Sequence, residues 1–226
     1  MMNTIKKALF IAPHPDDESL GCGGTIQKLK DTGSQVYWMI VTRGYPDDGF
    51  KQDAIDAKKE QIVRVNEAYG FDGIFELGLR TTLLDTYQTR EIIGKVGEIL
   101  HQLKPDTLFI PHHSDVHSDH RVIFDAVWSS SKSFRTPFVK NILSYETVSE
   151  TEFGIPSGSR VFAPNVFIDI SDYLERKLEI ISIYHDEIQS HPFPRSLENL
   201  KALAHVRGSV AFVDYAEAFM CLKSLA

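Results

Sequence analysis

A chain of 226 residues with 42% hydrophobic and 24% charged side chains has the size and balance of one sizeable soluble α/β domain. Its formal net charge of −7 gives no electrostatic support for a nucleic-acid partner or an anionic membrane surface. Two cysteines, Cys22 and Cys221, are too few for a disulfide framework, and no apolar run approaches the ~18 to 20 residues of a membrane span.

The apolar stretch "ALFIA" after Lys6 and Lys7 is also too short for a signal-peptide core, so the expected compartment is the cytoplasm. "KKALFIAP" reads as a buried strand and "GTIQKLKDTG" as a helix stopping at Gly33. "QVYWMIVT", rich in β-branched and aromatic residues, is a second strand. After the loop "RGYPDDGFKQ", Asp53 is placed to cap a helix carrying Ile55, Ile62, Val65 and Tyr69 and ending at Gly70. "GIFELG" is a third strand. A helix with Ile92, Val96, Ile99 and Leu103 on one face follows, then a fourth strand in "KPDTLFIPHH". Such alternation predicts a Rossmann-like, doubly wound, mainly parallel sheet with helices on both faces.

The second half is less regular. "VIFDAVWSSS" reads as helix, "NILSYET" and "NVFIDI" as strands, "SGSRVFAPN" as a loop, and "SDYLERKLEIISIYHDEI" as an amphipathic helix capped by Ser171. Without a repeat or a compositional break, residues 1–226 are expected to form a single domain.

In a doubly wound sheet of order 3-2-1-4, strands one and four are neighbours where the winding reverses, and ligands bind outside their carboxyl ends. "PHPDDESLGCGG" follows strand one and "HHSDVHSDH" follows strand four. Four of the nine histidines fall in the second loop, which the topology sets opposite His14 and the adjacent Asp16 and Asp17. Two imidazoles and one carboxylate suit a catalytic zinc with an open position, which lowers the pKa of its water to about 7. Fe²⁺ and Mn²⁺ take the same donors. Side chains of successive non-helical residues diverge, so one aspartate can face the metal and the other accept the proton of the attacking water. Gly21, Gly23 and Gly24 then allow the backbone to approach closely. Residue types alone leave open which of His112, His113, His117 and His120 binds metal.

"PHPDDESLGCGGTI" and "HSDH" resemble the two signature motifs of the PIG-L/LmbE-like family of zinc-dependent N-acetyl deacetylases. The likeness is strongest over residues 6–45 and 105–125, with weaker echoes at "PNVFIDIS" and "YAEAF". It implies His14, Asp17 and His120 as ligands of one zinc per chain, and Asp16 as general base. It further implies a protonated His117 as oxyanion stabiliser, Asp119 as the group that orients or charges it, and Glu18 as the acidic residue behind the ligands.

The substrate implied is small or a glycoconjugate bearing an N-acetylated amino sugar. A zinc-dependent amidase for another acyl-amine or thiol conjugate, and a non-catalytic carbohydrate-binding protein, are the alternatives. An assembly of identical chains is left open.

The chain departs from the family pattern twice. An R-x-x-E pair after the second strand falls here on Lys58 and Gln61, and Y-x-S-Q appears as "YHDE" at 184–187. Arg43 is the alternative substrate anchor. "GYPDDGF" reads as a mobile loop over the crevice, with Asp47 and Asp48 either a solvated turn or a second ion site. Tyr145, Glu146 and Arg207 are placed to shape a pocket, and Cys22 is expected to matter for its small size.

Overall fold

Successive side chains of a strand point to opposite faces, so a strand covered on both sides feeds two cores at once. In β1 (Lys7–Ala12), Ala8, Phe10 and Ala12 join one apolar layer while Leu9 and Ile11 join the other. In β2 (Gln35–Arg43), Val36, Trp38 and Ile40 alternate in the same way with Met39 and Val41. The computed structural model describes residues 5–155 and 161–225.

The sheet has seven strands in the order β3-β2-β1-β4-β5-β7-β6, the further strands being β3 (Gly73–Arg80), β4 (Thr107–Ile110), β5 (Asn141–Tyr145), β6 (Val166–Asp169) and β7 (Ala216–Ser224). β1 to β5 pair in parallel; β7 runs antiparallel to both β5 and β6. The helices α1 (Asp17–Asp31), α2 (Gln52–Tyr69), α5 (Leu174–Ile181) and α6 (Leu197–Ala211) pack on the core containing Phe10 and Trp38. α3 (Thr89–Leu103) and α4 (Ser118–Ser130) pack on the core containing Leu9 and Met39. The α/β, doubly wound architecture expected from the pattern is the one observed, including the order of its first four strands.

Local differences have local causes. α1 starts at Asp17, upstream of the glycines, which therefore lie inside the helix. A Cβ on Gly21 would sit 2.4 Å from Tyr145 Cδ2 and 2.9 Å from the Glu146 carbonyl oxygen, and one on Gly24 would sit 2.6 Å from Ile170 Cγ2. Helix propensity is given up there for close packing against the sheet and its loops. The cap of α2 is Lys51, not Asp53; Asp53 stands in the first turn, where a carboxylate favours the helix dipole.

Ser171 does not cap α5, because its N–H and hydroxyl both bond the Asp169 carboxylate, 3.0 and 2.6 Å away. That helix ends at Ile181 instead of running on through "YHDEI". α6, capped by Ser196 Oγ, and the strand β7 complete the second half. Glu217 of β7 binds the Gly24 and Thr25 N–H groups and the buried Lys177 ammonium, tying α1, α5 and β7 together. Residues 157–160 of the expected "SGSRVFAPN" loop lie outside the described residues. Among those described, no helix is long and apolar enough to cross a membrane.

The contact at Gly21 is with main chain as well as with an aromatic ring, so it cannot relax cheaply. Gly21→Ala should lower the unfolding free energy by about 1–3 kcal/mol. A urea titration should show a lower midpoint at unchanged slope.

Candidate metal and catalytic site

β1 and β4 are adjacent and parallel, with Ala8–Phe10 opposite Thr107–Phe109. The loop leaving β1 turns into α1 and the loop leaving β4 turns into α4, so two helix N-termini converge at the point where the winding reverses. His14, Asp16 and Asp17 come from the first turn, and Asp115, His117, Asp119 and His120 from the second. The rings of His14, His117 and His120 have centroids 4.5 to 5.6 Å apart.

The sharp turn at Asp16 separates the two neighbouring carboxylates. Asp16 has φ 151°, a conformation that L residues rarely adopt, and its N–H is held by Glu18 Oε2 at 3.1 Å. Asp17 consequently faces the imidazoles. Its Oδ2 accepts the His14 backbone N–H at 2.8 Å and lies 3.5 Å from His14 Nδ1 and 3.3 Å from His120 Nε2. One ligand atom from each of His14, Asp17 and His120 falls within 4.8 Å of the others. Among the described residues, His120 Nε2 is buried with no hydrogen-bond partner.

Each imidazole is backed by a carboxylate on its far side: His120 Nδ1 is 2.8 Å from Asp115 Oδ2, and His14 Nε2 is 3.0 Å from Asp119 Oδ2. Burial disfavours charge on both rings, yet the carboxylates outweigh it, raising His14 to about 9 and His120 to about 10. Burial likewise opposes the Asp17 charge, but the two imidazoles hold its carboxyl well below its usual range. Two nitrogens and a carboxylate in a field that favours positive charge, with carboxylates behind the imidazoles, fit a divalent cation.

Asp16 turns away toward Arg195, whose Nη1 donates to Asp16 Oδ2 at 2.8 Å. Burial and the Asp17 charge push the Asp16 carboxyl up to about 7, against the opposing pull of Arg195. Arg195 also donates to Glu187 at 3.0 Å, to Ser149 Oγ at 2.7 Å and to Glu150 at 3.5 Å. Glu18 sits behind this turn, accepting from Ser19 Oγ and the Tyr184 hydroxyl, and burial raises it to about 8.

The second loop distributes its groups between both turns. The Asp119 carboxylate does not serve His117 first: it binds His14 and the N–H groups of Thr82 and Leu84, and lies 4.0 Å from His117 Nδ1. His117 Nδ1 instead accepts the Asp119 N–H at 3.1 Å and caps α4. Burial and the nearby His14 lower its pKa to about 4, and with Nδ1 accepting, a neutral ring carries its proton on Nε2. Protonating Nδ1 would break the helix cap.

A cavity of about 620 Å³ opens over this end of the sheet, with His14, Asp16 and His117 in its lining. Arg43 lines it too, with its guanidinium 4.5 Å from the Tyr45 ring centroid. The two departures from the family pattern meet in its wall: Lys58 bonds Asp186 and Glu187, each at 3.0 Å, and Gln61 bonds Asp186 at 2.6 Å.

The remaining candidates lie elsewhere. His112 stacks edge-on against His113 and Phe162 and belongs to neither of the two groups of converging ligand atoms among the described residues, His14/Asp17/His120 and His14/His117/Asp119. Asp47 and Asp48 form a 3-10 turn facing Arg80, which also stacks on Tyr45, so the loop is tethered. Tyr145 is core, with its hydroxyl on the Ile11 carbonyl. Glu146 and Arg207 pair at 2.6 Å beside a separate cavity of about 520 Å³. Cys22 is fully buried.

Arg195, Asp115 and Glu150 had not been singled out as site residues. Asp115 was within reach, being the other carboxylate of the His-rich loop. Arg195 lies 179 residues from Asp16 with no motif around it.

Residues 9–131, more than half of the chain, match the family described as GlcNAc-PI de-N-acetylase, PIG-L. A diacetylchitobiose deacetylase of Thermococcus kodakarensis is 27% identical over 95% of this chain and 82% of its own length. A probable N-acetyl-alpha-D-glucosaminyl L-malate deacetylase of Bacillus cereus is 24% identical over 82% of this chain and 85% of its own. The fold is shared with the N,N'-diacetylchitobiose deacetylase of Pyrococcus horikoshii, at a TM-score of 0.79 and 24% identity over 98% of this chain and 85% of that one. By the extent of the family match and the site that both of its loops build, the chain belongs to the PIG-L family.

Proposed function

We propose that this chain hydrolyses the N-acetyl group of an amino sugar or glycoconjugate, with one zinc ion held by His14, Asp17 and His120. The observation that carries this reading is the divergence of the two adjacent aspartates. One is committed to the imidazole cluster, while the other faces the cavity with a proton affinity in the physiological range. The two-imidazole, one-carboxylate set is that of catalytic zinc sites, and a bound cation there would acidify water and polarise the acetyl carbonyl.

The protein groups divide the remaining work. Asp16 Oδ2 is fixed by Arg195, leaving Oδ1 to take a proton from the attacking water. Neutral His117 donates its Nε2–H to the oxygen that becomes negative as the carbonyl turns tetrahedral. Asp16 then gives its proton to the amide nitrogen, the C–N bond breaks, and the amine and acetate leave. Asp119 and Asp115 orient the two ligand imidazoles, and Glu18 supports the strained turn that aims Asp16. Arg43 stands where it can hold a sugar hydroxyl. The reading goes with a single domain, a cytoplasmic setting in keeping with two free cysteines, and no nucleic-acid partner.

Acetate release from N-acetylated glycosides, assayed beside other acyl-amine conjugates, tests the reaction. Asp16→Asn should retain the metal and lose roughly 10²–10⁴-fold in kcat, whereas His14→Ala should lose the metal by elemental analysis. Full turnover by Asp16→Asn, or by thoroughly chelated enzyme, would overturn the mechanism. Asp115→Asn should weaken the metal by about 10–100-fold in competition with a chromogenic chelator.

Arg195→Met should cost about 3 kcal/mol of stability at pH 7, because Asp16, Glu187 and Glu150 lose their shared cation. Burial already raises the Asp16 and Glu150 carboxyls against the pull of Arg195, and removing that cation should raise both further above their unfolded values. The folded chain therefore binds more protons as pH falls, and the deficit should shrink between pH 7 and pH 5 in parallel urea titrations.

A further inference from the structure

The catalytic groups occupy only part of the cavity. α2 presents Ala54, Ile55, Lys58 and Ile62 to it at helical spacing, Phe50 comes from the loop before α2, and Ile40 from β2. Both cations that α2 brings to the lining have carboxylate partners: Lys58 is bonded to Asp186 and Glu187, and the exposed Lys59 to Asp56. Beside them, Phe50, Ala54, Ile55, Ile62 and Ile40 form an apolar stripe, with Arg43, Glu76 and Thr81 elsewhere in the lining. Exposure along it rises outward: Asp16 is 3% and Ile40 2% accessible, Ile55 and Ile62 are half-buried, and Phe50 is 37% exposed. The wall thus runs from the buried end, where the acetyl group reacts, to the solvent. A volume of about 620 Å³ is that of a drug-sized ligand rather than an acetamido group.

We propose that this wall receives an uncharged, apolar aglycone, so that the substrate is an N-acetylated amino sugar carrying an aryl or alkyl group. The proposal rests on the deacetylase reading for the orientation of the substrate. It assigns the apolar group to the aglycone and not to the acyl chain, because the acyl carbon must reach the buried end at His14 and Asp16 while the wall leads away from it. Beside the apolar stripe, Lys58, which stands where the family pattern has arginine, is held by the two carboxylates of "YHDE".

The test compares the β-methyl and β-phenyl glycosides of N-acetylglucosamine with a carboxylate-bearing glycoside and with N-hexanoylglucosamine. Binding is read by calorimetry and turnover by release of the acyl acid. The phenyl glycoside should bind and turn over about tenfold better than the methyl glycoside. Ile55→Asn and Phe50→Ser, both at partly exposed positions, should each bring that ratio toward one, with folding checked by the urea midpoint. A ratio near one in the unaltered protein, a ratio unmoved in both variants, or a larger gain from the carboxylate or the longer acyl chain would overturn the proposal. Acetate release without a phenyl preference removes the wall and leaves the deacetylase reading. A phenyl preference in binding without any acetate release does the reverse.

Discussion

The site depends on one buried charge. Asp17 lies at the first residue of α1, almost wholly inaccessible, and an ionised carboxyl in that position is costly unless positive charge is close. Everything around it answers that demand: the helix N-terminus, the His14 backbone N–H, and the imidazoles of His14 and His120. The carboxylates behind those imidazoles, Asp119 and Asp115, carry the same alternation one step further out. Asp115 is anchored in turn by the Thr151 hydroxyl, and Asp119 by two backbone N–H groups. Protons on the imidazoles and a divalent cation are two ways of meeting one electrostatic requirement, and only the second leaves the imidazole lone pairs engaged in chemistry.

Much of this was legible in the sequence because it is carried by local pattern. β1 and β4 are short, continuously apolar and flanked by turns, and the helical spacing of Ile92, Val96, Ile99 and Leu103 puts all four inside. From there strand adjacency and the meeting of the two polar loops follow from topology. α1 starts at Asp17, where the acidic turn suits a helix N-terminus, and runs further upstream than "GTIQKLKDTG" alone suggests because its glycines are used for close packing. β7 was not legible, since its insertion between β5 and β6 is a long-range antiparallel pairing that local sequence does not encode. The end of α5 was set by tertiary demands: Tyr184 is pulled to Glu18, and Asp186 to Lys58 and Gln61.

Roles within the cluster were harder to read than membership. The spacing H-x-D-H invites a pairing of His117 with Asp119, but both lie at the start of α4, where His117 Nδ1 is spent on the helix cap. The Asp119 carboxylate is thereby free to cross to the other loop and hold His14. A motif fixes which groups gather; the helix that follows fixes which atom of each group is available. Arg195 marks the limit of motif reading altogether. Its partner Asp16 is at the other end of the chain, and only the packing of the segment before α6 over the cavity brings the two together.

The same rule of paired charges explains why two departures from the family pattern are one event. A lysine at position 58 without a carboxylate would place a cation beside an apolar stripe, and without Lys58 the Glu187 carboxylate would rest on Arg195 alone. Together they close a network running from Lys58 through Glu187 and Arg195 to Asp16. The consequence reaches the chemistry. Arg195 fixes one oxygen of Asp16, so the orientation of the proposed base is coupled to residues that also line the substrate wall. In this chain the cavity-lining Lys58 and Glu187 and the proposed base Asp16 are members of a single electrostatic network.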